Sequence, residues 1–535
     1  MKRSKTHWPG AVRVIVLGAC LSLTTVSASV TYSEESSVPQ PNQYFVIEVV
    51  DEQTGRGVPL VELQATSGAR YYTDSAGLIA FYEPGLMDKR VFFAVSSHGY
   101  EFRPDGFGIR GIALETKPGG SAQLKVKRIN IAERLYRITG YGIYRDTVLL
   151  GRKPPIAEPL LNGEVTGQDG ILTTIYRGKL YWLYGDTGRL AYALGNFAMS
   201  GATTELPDKL DPSVGFNLKY FVGKDGFSRP MAPMKGEGVV WLGGLVVLPD
   251  ESGRERMLAF FHRRRGLGEV LENGFVAYND NKDVFEKIKD VPLNLPVNPT
   301  GYPVFAKGDD GVEHIYFTAP YPALRVRADW KSYLDLSAYE GYTCLKPGTR
   351  YTDKGRVQLD RKEGELVWGW KKDTPPLTAK EQDELVAAGK MKREESPLRL
   401  QDANDAKPIT LTNSSCFWND YRKKYIMIAS EVMGATVVGE VWYSEADRPE
   451  GPWVHARKII THANKPGDAH DFYNPSQHPW FDREGGRVIY LEGSYVNTFS
   501  GNPHPTPYYE YNQIMYRLDL SDPRLKLPAE TISAP

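Results

Sequence analysis

Long hydrophobic runs, cysteines and net charge are all scarce in this 535-residue sequence. Its 65 basic and 65 acidic residues cancel to a formal net charge of zero, so the chain lacks the global basic field that nucleic-acid binding needs. Three cysteines exclude a disulfide-dense scaffold. No later run reaches the ~20 apolar residues of a membrane helix. Gly-x-Ser-x-Gly, P-loop, Cys-x-x-Cys and dinucleotide-binding motifs are absent from any usable context.

The N-terminus has the pattern of an export signal. Lys2, Arg3, Lys5 and Arg13 come before an apolar run at 14–26, which predicts a signal peptide over 1–28 and a periplasmic or extracellular protein. A minority alternative is a lipid anchor on Cys20. The mature chain would retain Cys344 and Cys416, and whether these two form a disulfide is left open.

Aromatic residues and turn formers are abundant instead. Aromatics make up 12% of the chain, and 52 Gly and 37 Pro punctuate it, which favours an all-β protein of about two to four domains. We expect a linker over 29–42, a small β-sandwich over 43–130, a propeller over 135–522 and a tail over 523–535. The charged segment 351–408 interrupts the propeller pattern and predicts a solvated flap, with a capping box at Thr378 and Glu381 that opens a short helix.

Within 135–522, strand-turn-strand patterns recur five times. The first runs from Asp169 through alternating residues and the turn Arg177-Gly178-Lys179 to Asp186. The others begin at Gly238, Tyr302, Ser414 and His478. Repeated antiparallel units of this kind predict a five-bladed β-propeller, and a sandwich or jelly roll is the rival architecture.

Each predicted hairpin brings the start of its first strand and the end of its second strand to one edge. In a propeller these edges face one mouth, where several carboxylates would raise one another's pKa and divide into acid and base. The candidate catalytic residues are therefore Asp169, Asp186, Glu237 and Glu431. The candidate substrate-binding residues at the same mouth are His262, Arg263, Tyr302, Tyr321, Tyr473, His478 and Glu492.

Two known groups share phrases with this sequence. VVDEQTGRGVPLVEL with TDSAGLIAF resembles transthyretin-like, carboxypeptidase-regulatory sandwiches, which implies an accessory module. GQDGILTTIYRGKLYWLYGDT, GEVWYSEADRPEGPW, YNPSQHPWFD and YLEGSY resemble five-bladed propeller glycoside hydrolases of the arabinanase, β-xylosidase and fructan hydrolase type, and more distantly endo-D-arabinanases. The second resemblance implies Asp169 as general base, an acid from Glu237 or Glu431, Asp186 in a modulating or alternative base role, and inversion.

The leading hypothesis is an exported glycosidase that acts on a polysaccharide or oligosaccharide. A polysaccharide lyase using the basic cluster at 262–265, and a non-catalytic carbohydrate-binding propeller, remain alternatives. We expect no cofactor, although a structural metal ion in the propeller channel is left open. We expect no nucleic-acid partner and no transmembrane segment; the oligomeric state is left undetermined. Trp368 and Trp370 have two interpretations, as platforms for a sugar ring or as anchors of the insertion.

Overall fold

A computed structural model describes residues 39–528 except 197, 296, 353–355 and 464–468. The predicted signal segment 1–28, most of the linker and the end of the tail lie outside these residues. Strands dominate the described chain, which confirms the predicted all-β propeller fold. No helix among the described residues is long and apolar enough to cross a membrane.

The N-terminal part is a β-sandwich of two four-stranded sheets. Burial alternates along its strands with a period of two, so that one face of each sheet supplies the common core around Ile47, Leu63 and Phe93. The sheets have the orders β4-β1-β8-β6 and β3-β2-β5-β7. Their strands are β1 Phe45–Asp51, β2 Glu62–Ala65, β3 Arg70–Tyr72, β4 Leu78–Phe81, β5 Arg90–Ser96, β6 Tyr100–Glu101, β7 Gly111–Glu115 and β8 Ser121–Arg128.

Blades 1 and 2 follow the sandwich, after strand β9 (Glu133–Arg137) and helix α1 (Arg145–Leu149). Blade 1 has the order β11-β12-β15-β16, with a small sheet β10-β13-β14 above it, and blade 2 is β17-β18-β19-β20. The strands are β10 Val165–Gln168, β11 Ile171–Tyr176, β12 Lys179–Tyr184, β13 Thr187–Arg189, β14 Tyr192–Asn196, β15 Ser200–Thr204, β16 Lys219–Tyr220, β17 Val239–Pro249, β18 Glu255–Arg265, β19 Glu269–Asn279 and β20 Val284–Val291.

Blade 3 has the order β21-β22-β23-β24-β27, blade 4 has β28-β32-β31-β30-β29, and blade 5 has β33-β34-β35-β9. The elements are β21 Tyr302–Lys307, β22 Glu313–Thr318, β23 Pro322–Arg327, α2 Trp330–Tyr333, β24 Glu340–Thr343, β25 Arg361–Lys362, β26 Glu365–Leu366, β27 Gly369–Lys372, α3 Ala379–Ala387, β28 Leu398–Asp402, β29 Leu411–Asn419, β30 Lys424–Glu431, β31 Val441–Ala446, β32 Trp453–Ile460, β33 Asp471–Gln477, β34 Val488–Val496 and β35 Asn512–Asp519.

Hydrophobic clusters join each blade to the next around the ring. Blade 1 packs on blade 2 through Leu183 and Phe261, and blade 4 packs on blade 5 through Ile428 and Leu491. The ring closes where β9, from the start of the propeller, pairs with β35 near its end. The first and last strands of the propeller therefore lie in one sheet, and β9 is the fourth strand of blade 5.

The insertion is not the solvated flap that its charge predicts. It has a core of its own around Cys344, Leu377 and Leu385, and β27 and β28 extend blades 3 and 4 as edge strands. The predicted capping box is confirmed, because Thr378 and Glu381 exchange side-chain and backbone hydrogen bonds at the start of α3. Cys344 and Cys416 are free, buried thiols and do not pair with each other.

Candidate active site

The hairpin β11–β12 brings Asp169 and Asp186 to one edge of blade 1. Ile171 pairs with Tyr184 across the hairpin, so the residues that flank this pair lie side by side. The Asp169 N–H donates to the Asp186 carbonyl at 3.2 Å, and the Gly185 N–H donates to the Asp169 carbonyl at 2.6 Å. Two carboxylates separated by seventeen positions in sequence thus become neighbours.

Two glycines allow the close approach at this edge. A Cβ on Gly185 would collide with Oδ1 of Asp169, and a Cβ on Gly167 would collide with the carbonyl oxygen of Tyr511. That carbonyl accepts a 2.7 Å hydrogen bond from the Gln168 N–H. Glycine at these positions therefore lets blade 1 pack directly against the loop that precedes β35.

Burial and hydrogen bonding have opposite effects on the pKa of the Asp169 carboxyl. Burial raises its pKa to about 6, and the nearby Asp186 charge acts in the same direction. Hydrogen bonds from the hydroxyls of Tyr473 and Tyr511 act against this rise, and the Tyr473 bond measures 2.9 Å. The pKa values of both phenols are raised by burial, so the hydroxyls stay protonated and serve as donors.

Asp186 is held from the neighbouring blade. The indole Nε1 of Trp241, in β17, donates a 2.9 Å hydrogen bond to its Oδ1. Burial raises the pKa of Asp186, and the indole bond opposes this rise. Donors from blades 1, 2 and 5 and from the loop before β35 therefore fix the two carboxyl groups.

A buried amide network supports the pair from below. The Gln168 Nε2 donates to Ser200 Oγ at 2.6 Å and to Thr187 Oγ1 at 3.1 Å, while its Oε1 accepts from the Tyr220 hydroxyl at 2.7 Å. The Gln513 Nε2 donates to the Gln168 carbonyl at 3.2 Å. Since both glutamines are fully buried, the backbone on either side of Asp169 has little freedom to shift.

Aromatic and amide groups surround the pair toward solvent. Phe499 is 45% exposed, and its ring centroid lies 6.2 Å from that of Tyr473. The Phe499 N–H donates to the buried carboxylate of Asp471 at 2.7 Å, which fixes the loop that carries this ring. Asn474 has a left-handed φ of 51° and accepts a hydrogen bond from the Asn413 amide. These groups offer a ligand flat apolar surface and polar contacts beside the carboxyls.

The N-terminal sandwich also reaches this site, through the loop 508–511. The Tyr509 hydroxyl donates to the Thr73 carbonyl at 2.5 Å and accepts from the Leu60 N–H at 2.9 Å. The buried Arg137 guanidinium lies 4.6 Å from the centre of the Tyr509 ring. The same loop supplies Tyr511 to Asp169, so the sandwich is linked to the carboxylate pair by three consecutive residues.

Glu237 and its neighbours lie at the exposed end of the β17–β18 hairpin. The Glu237 carboxylate is 69% exposed and pairs with Arg265. Arg263 binds Glu272 at 2.7 Å and the Glu237 carbonyl at 2.6 Å. His262 pairs with Trp241 across the hairpin, and its Nδ1 lies 2.6 Å from Asn273 Oδ1. Burial lowers the pKa of His262, which therefore stays neutral at neutral pH.

Glu431 ends β30 in blade 4. The Trp442 indole donates to its Oε2 at 2.8 Å, and burial raises its pKa with a further contribution from Glu440. The charges that act on it, Glu440, Lys458 and Asp402, belong to the outer part of blade 4. Glu431 is thus a half-buried carboxyl whose surroundings differ from those of the Asp169–Asp186 pair.

The predicted start of the fifth inner strand at His478 is wrong. β33 ends at Gln477, and residues 479–481 form a single 3₁₀ turn, so His478 follows the strand instead of opening it. His478 and Glu492 are both fully buried, with Nε2 and Oε1 3.3 Å apart. This places them inside the protein rather than on a surface that a substrate reaches.

The two remaining predicted tyrosines make internal contacts. The Tyr302 ring packs in the clusters around blade 1, and its hydroxyl bonds with Ser476. Tyr321 is fully buried, and its hydroxyl accepts from Gln382 of α3 at 3.2 Å. Tyr321 therefore anchors the insertion helix to blade 3.

Sequence reasoning missed four residues around the pair: Trp241, Asn474, Phe499 and Tyr511. The tyrosine-rich phrase before β35 was the one available signal, because nothing in the sequence shows which distant loops meet at Asp169. Among the described residues there is no group of three or more His, Cys, Asp or Glu side chains that could hold a metal ion.

Comparisons with known proteins point to distant similarity in structure. No protein-family model matches the sequence, and no curated protein matches it. A thermostable family-43 glycoside hydrolase matches with 14% identity, covering 70% of this chain and 96% of its own, at a TM-score of 0.31. A putative exo-β-1,3-galactanase from Bifidobacterium bifidum matches with 10% identity, 74% and 98% coverage and a TM-score of 0.34. The α-L-arabinanase of Cellvibrio cellulosa matches with 10% identity, 64% and 90% coverage and a TM-score of 0.31.

Proposed function

We propose that this protein is a glycoside hydrolase that acts on a polysaccharide or its oligosaccharides through Asp169 and Asp186. The observation that carries the proposal is the pair itself. Two adjacent carboxyls have raised pKa values, and one of them, at about 6, is held by two phenol donors. Paired carboxyls in unequal environments are the groups that glycosidases use as acid and base.

The unequal donors suggest a division of roles. Two hydroxyls stabilise the ionised form of Asp169, which suits a general base that activates water. Asp186 has a single indole donor and would carry the proton that passes to the leaving oxygen, so the active form is the one in which Asp169 is ionised and Asp186 is protonated. Because the Asp186 charge raises the pKa of Asp169, the titration of the pair belongs to both groups together. This proposal gives no catalytic role to Glu237, which pairs with Arg265, or to Glu431, which accepts from the Trp442 indole.

The aromatic surroundings support a sugar as the ligand. Phe499, Tyr473 and Trp241 surround the pair from two blades, and sugar rings present apolar faces to such surfaces. The resemblance to propeller glycoside hydrolases implies inversion, which requires carboxyl groups about 6.5–9.5 Å apart, whereas about 5 Å would give retention. NMR of the first anomer released from a cleaved glycan distinguishes the two outcomes.

The test is a screen of the purified protein against plant, algal and bacterial glycans, with reducing ends as the readout. We expect Asp169→Asn and Asp186→Asn to lower kcat at least about a hundredfold, because each removes an acid or base. Glu237→Gln is the matched control and should keep wild-type turnover. Full activity in both aspartate variants would refute the assignment, and products absorbing in the ultraviolet would indicate a lyase. Glycan binding without any product would indicate a binding protein.

We also propose that the protein is exported, with residues 1–28 as its signal. The charged start and the apolar run at 14–26 support this. Mass spectrometry of the protein recovered from its native host should show an N-terminus near Ser29. A lipid-modified Cys20 would instead establish the anchored alternative.

A further inference from the structure

A second cavity lies between the insertion and blades 3 and 4, and three aromatic rings line it. Its volume is about 410 Å³, within the range of small-ligand sites. Trp368 and Trp370 lie two positions apart on one face of the chain as it enters β27, and Tyr342 pairs with Trp370 from β24. The Trp368 ring stacks on Tyr342 with 5.6 Å between centroids and 27° between planes.

The two indoles differ from most of the other described tryptophans. Both are half-buried, and their Nε1 atoms are buried without a hydrogen-bond partner. Six other tryptophans donate through Nε1, namely Trp182, Trp241, Trp418, Trp442, Trp453 and Trp480. A tryptophan kept only as an anchor would gain from a similar bond. Because the nitrogens face inward, the part of each indole that reaches solvent is carbon surface.

The rim of the cavity is polar and balanced in charge. Two positive groups, Arg399 and Arg448, and two negative groups, Asp309 and Glu395, line the cavity. Arg448 binds Asp309 at 2.7 Å, and the Asp309 side chain is 78% exposed. These side chains can donate hydrogen bonds to the hydroxyls of a ligand and accept hydrogen bonds from them. Because their charges balance, the rim has no net positive charge that would favour an anion.

We propose that this cavity is a second, non-catalytic binding site for a neutral saccharide. The solvent-facing carbon surface of Trp368 would receive the apolar face of a sugar ring, and the rim would bond its hydroxyls. Trp370, whose ring lies 4.4 Å from the Arg325 guanidinium, would support Trp368 from the side. The proposal rests on the proposed function only for its choice of ligand, namely the glycan class that the Asp169–Asp186 pair cleaves. A long chain could occupy both sites, so the cavity would hold polymer near the enzyme without touching the reacting bond.

Affinity electrophoresis in gels that contain soluble arabinan, xylan or β-1,3-galactan tests the site. We expect Trp368→Ala to weaken retardation of the protein by at least about fivefold in apparent Kd, since truncated aromatic anchors cost this much or more. Arg399→Ala leaves the aromatic packing intact and should weaken the retardation less than Trp368→Ala does. It tests the site even if Trp368→Ala does not fold. Trp418→Ala, an exposed tryptophan bound to Asp420, is the matched control and should bind as the wild type does. Turnover of short oligosaccharides should be unchanged in all three variants.

The outcomes separate this inference from the proposed function. If the wild type cleaves a probe while Trp368→Ala and Arg399→Ala are retarded as strongly as the wild type, the second site is refuted and the hydrolase stands. If both variants lose retardation although the wild type cleaves nothing, the site stands and the hydrolase is refuted. A wild-type protein that none of the three polysaccharides retards refutes the second site.

Discussion

Replacing Asp169 by asparagine should inactivate the protein and at the same time stabilise it at neutral pH. The carboxyl has a folded pKa of about 6 against an ordinary value of 3.8, so the native state holds its proton more tightly than the unfolded state. Stability from this group is fully present below pH 3.8 and is lost as the pH rises through 6. Above pH 6 the charged carboxylate opposes folding.

The size of the effect follows from the shift. About two pKa units correspond to about 3 kcal/mol of lost stability at pH 7.5. Asparagine cannot ionise, but it accepts fewer hydrogen bonds and leaves one of the Tyr473 and Tyr511 hydroxyls poorly paired. The expected net gain in free energy of unfolding is therefore about 1 to 2 kcal/mol at pH 7.5, and it should vanish or reverse near pH 4.

Chemical denaturation of wild type and variant at pH 4 and pH 7.5 measures this difference. Asp250→Asn is a suitable control because hydrogen bonds from Ser252 and Arg254 lower the pKa of this carboxyl to about 2. Its substitution should destabilise the protein at pH 7.5 and have less effect as the pH falls toward 2. If Asp169→Asn changes stability by the same amount at both pH values, the buried-carboxyl reasoning is wrong.

Three further predictions concern the surroundings of the pair. Tyr511→Phe removes a hydrogen bond that lowers the pKa of Asp169, so the acidic limb of the kcat/KM profile should move up by about one unit; no movement would argue against this contact. Gly185→Ala forces the Asp169 carboxyl aside, and turnover should fall far more than the melting temperature does; equal losses would indicate general unfolding. Tyr509→Phe removes both hydrogen bonds of the hydroxyl and leaves the Leu60 N–H and the Thr73 carbonyl with only the 3.3 Å bond between them, so urea denaturation should show a loss of about 1 to 2 kcal/mol; no loss would contradict a stabilising role for this hydroxyl.

Sequence periodicity was sufficient to predict the hairpin at Asp169 and Asp186. Alternation over 171–176 and the turn at 177–179 define both strands, and a two-residue register error would have separated the carboxyls. The prediction of Glu237 depends on a less regular hairpin, because β17 is eleven residues long and has an irregular register between Gly243 and Val246. The sequence does not show where along such a strand the edge of the ring falls.

Residues contributed by distant loops could not be predicted in this way. Tyr511 and Phe499 reach the pair only because β9 closes blade 5 and brings the last strands beside the first. The prediction that His478 opens a strand was wrong because β33 ends at Gln477 and Pro479 begins a 3₁₀ turn directly after His478. Local pattern predicts strands, whereas the meeting of loops depends on the closure of the whole ring.

The hydrogen bonds of Tyr509 to Thr73 and Leu60 have consequences for the evolution and the engineering of the sandwich. A module that contributes hydrogen bonds to the loop holding Tyr511 cannot be exchanged or deleted as a separable attachment. Substitutions at Leu60 or Thr73 would disturb the hydrogen bonds of Tyr509 and, through the loop 508–511, the position of Tyr511 beside Asp169. The two parts should therefore be inherited, and redesigned, as one unit.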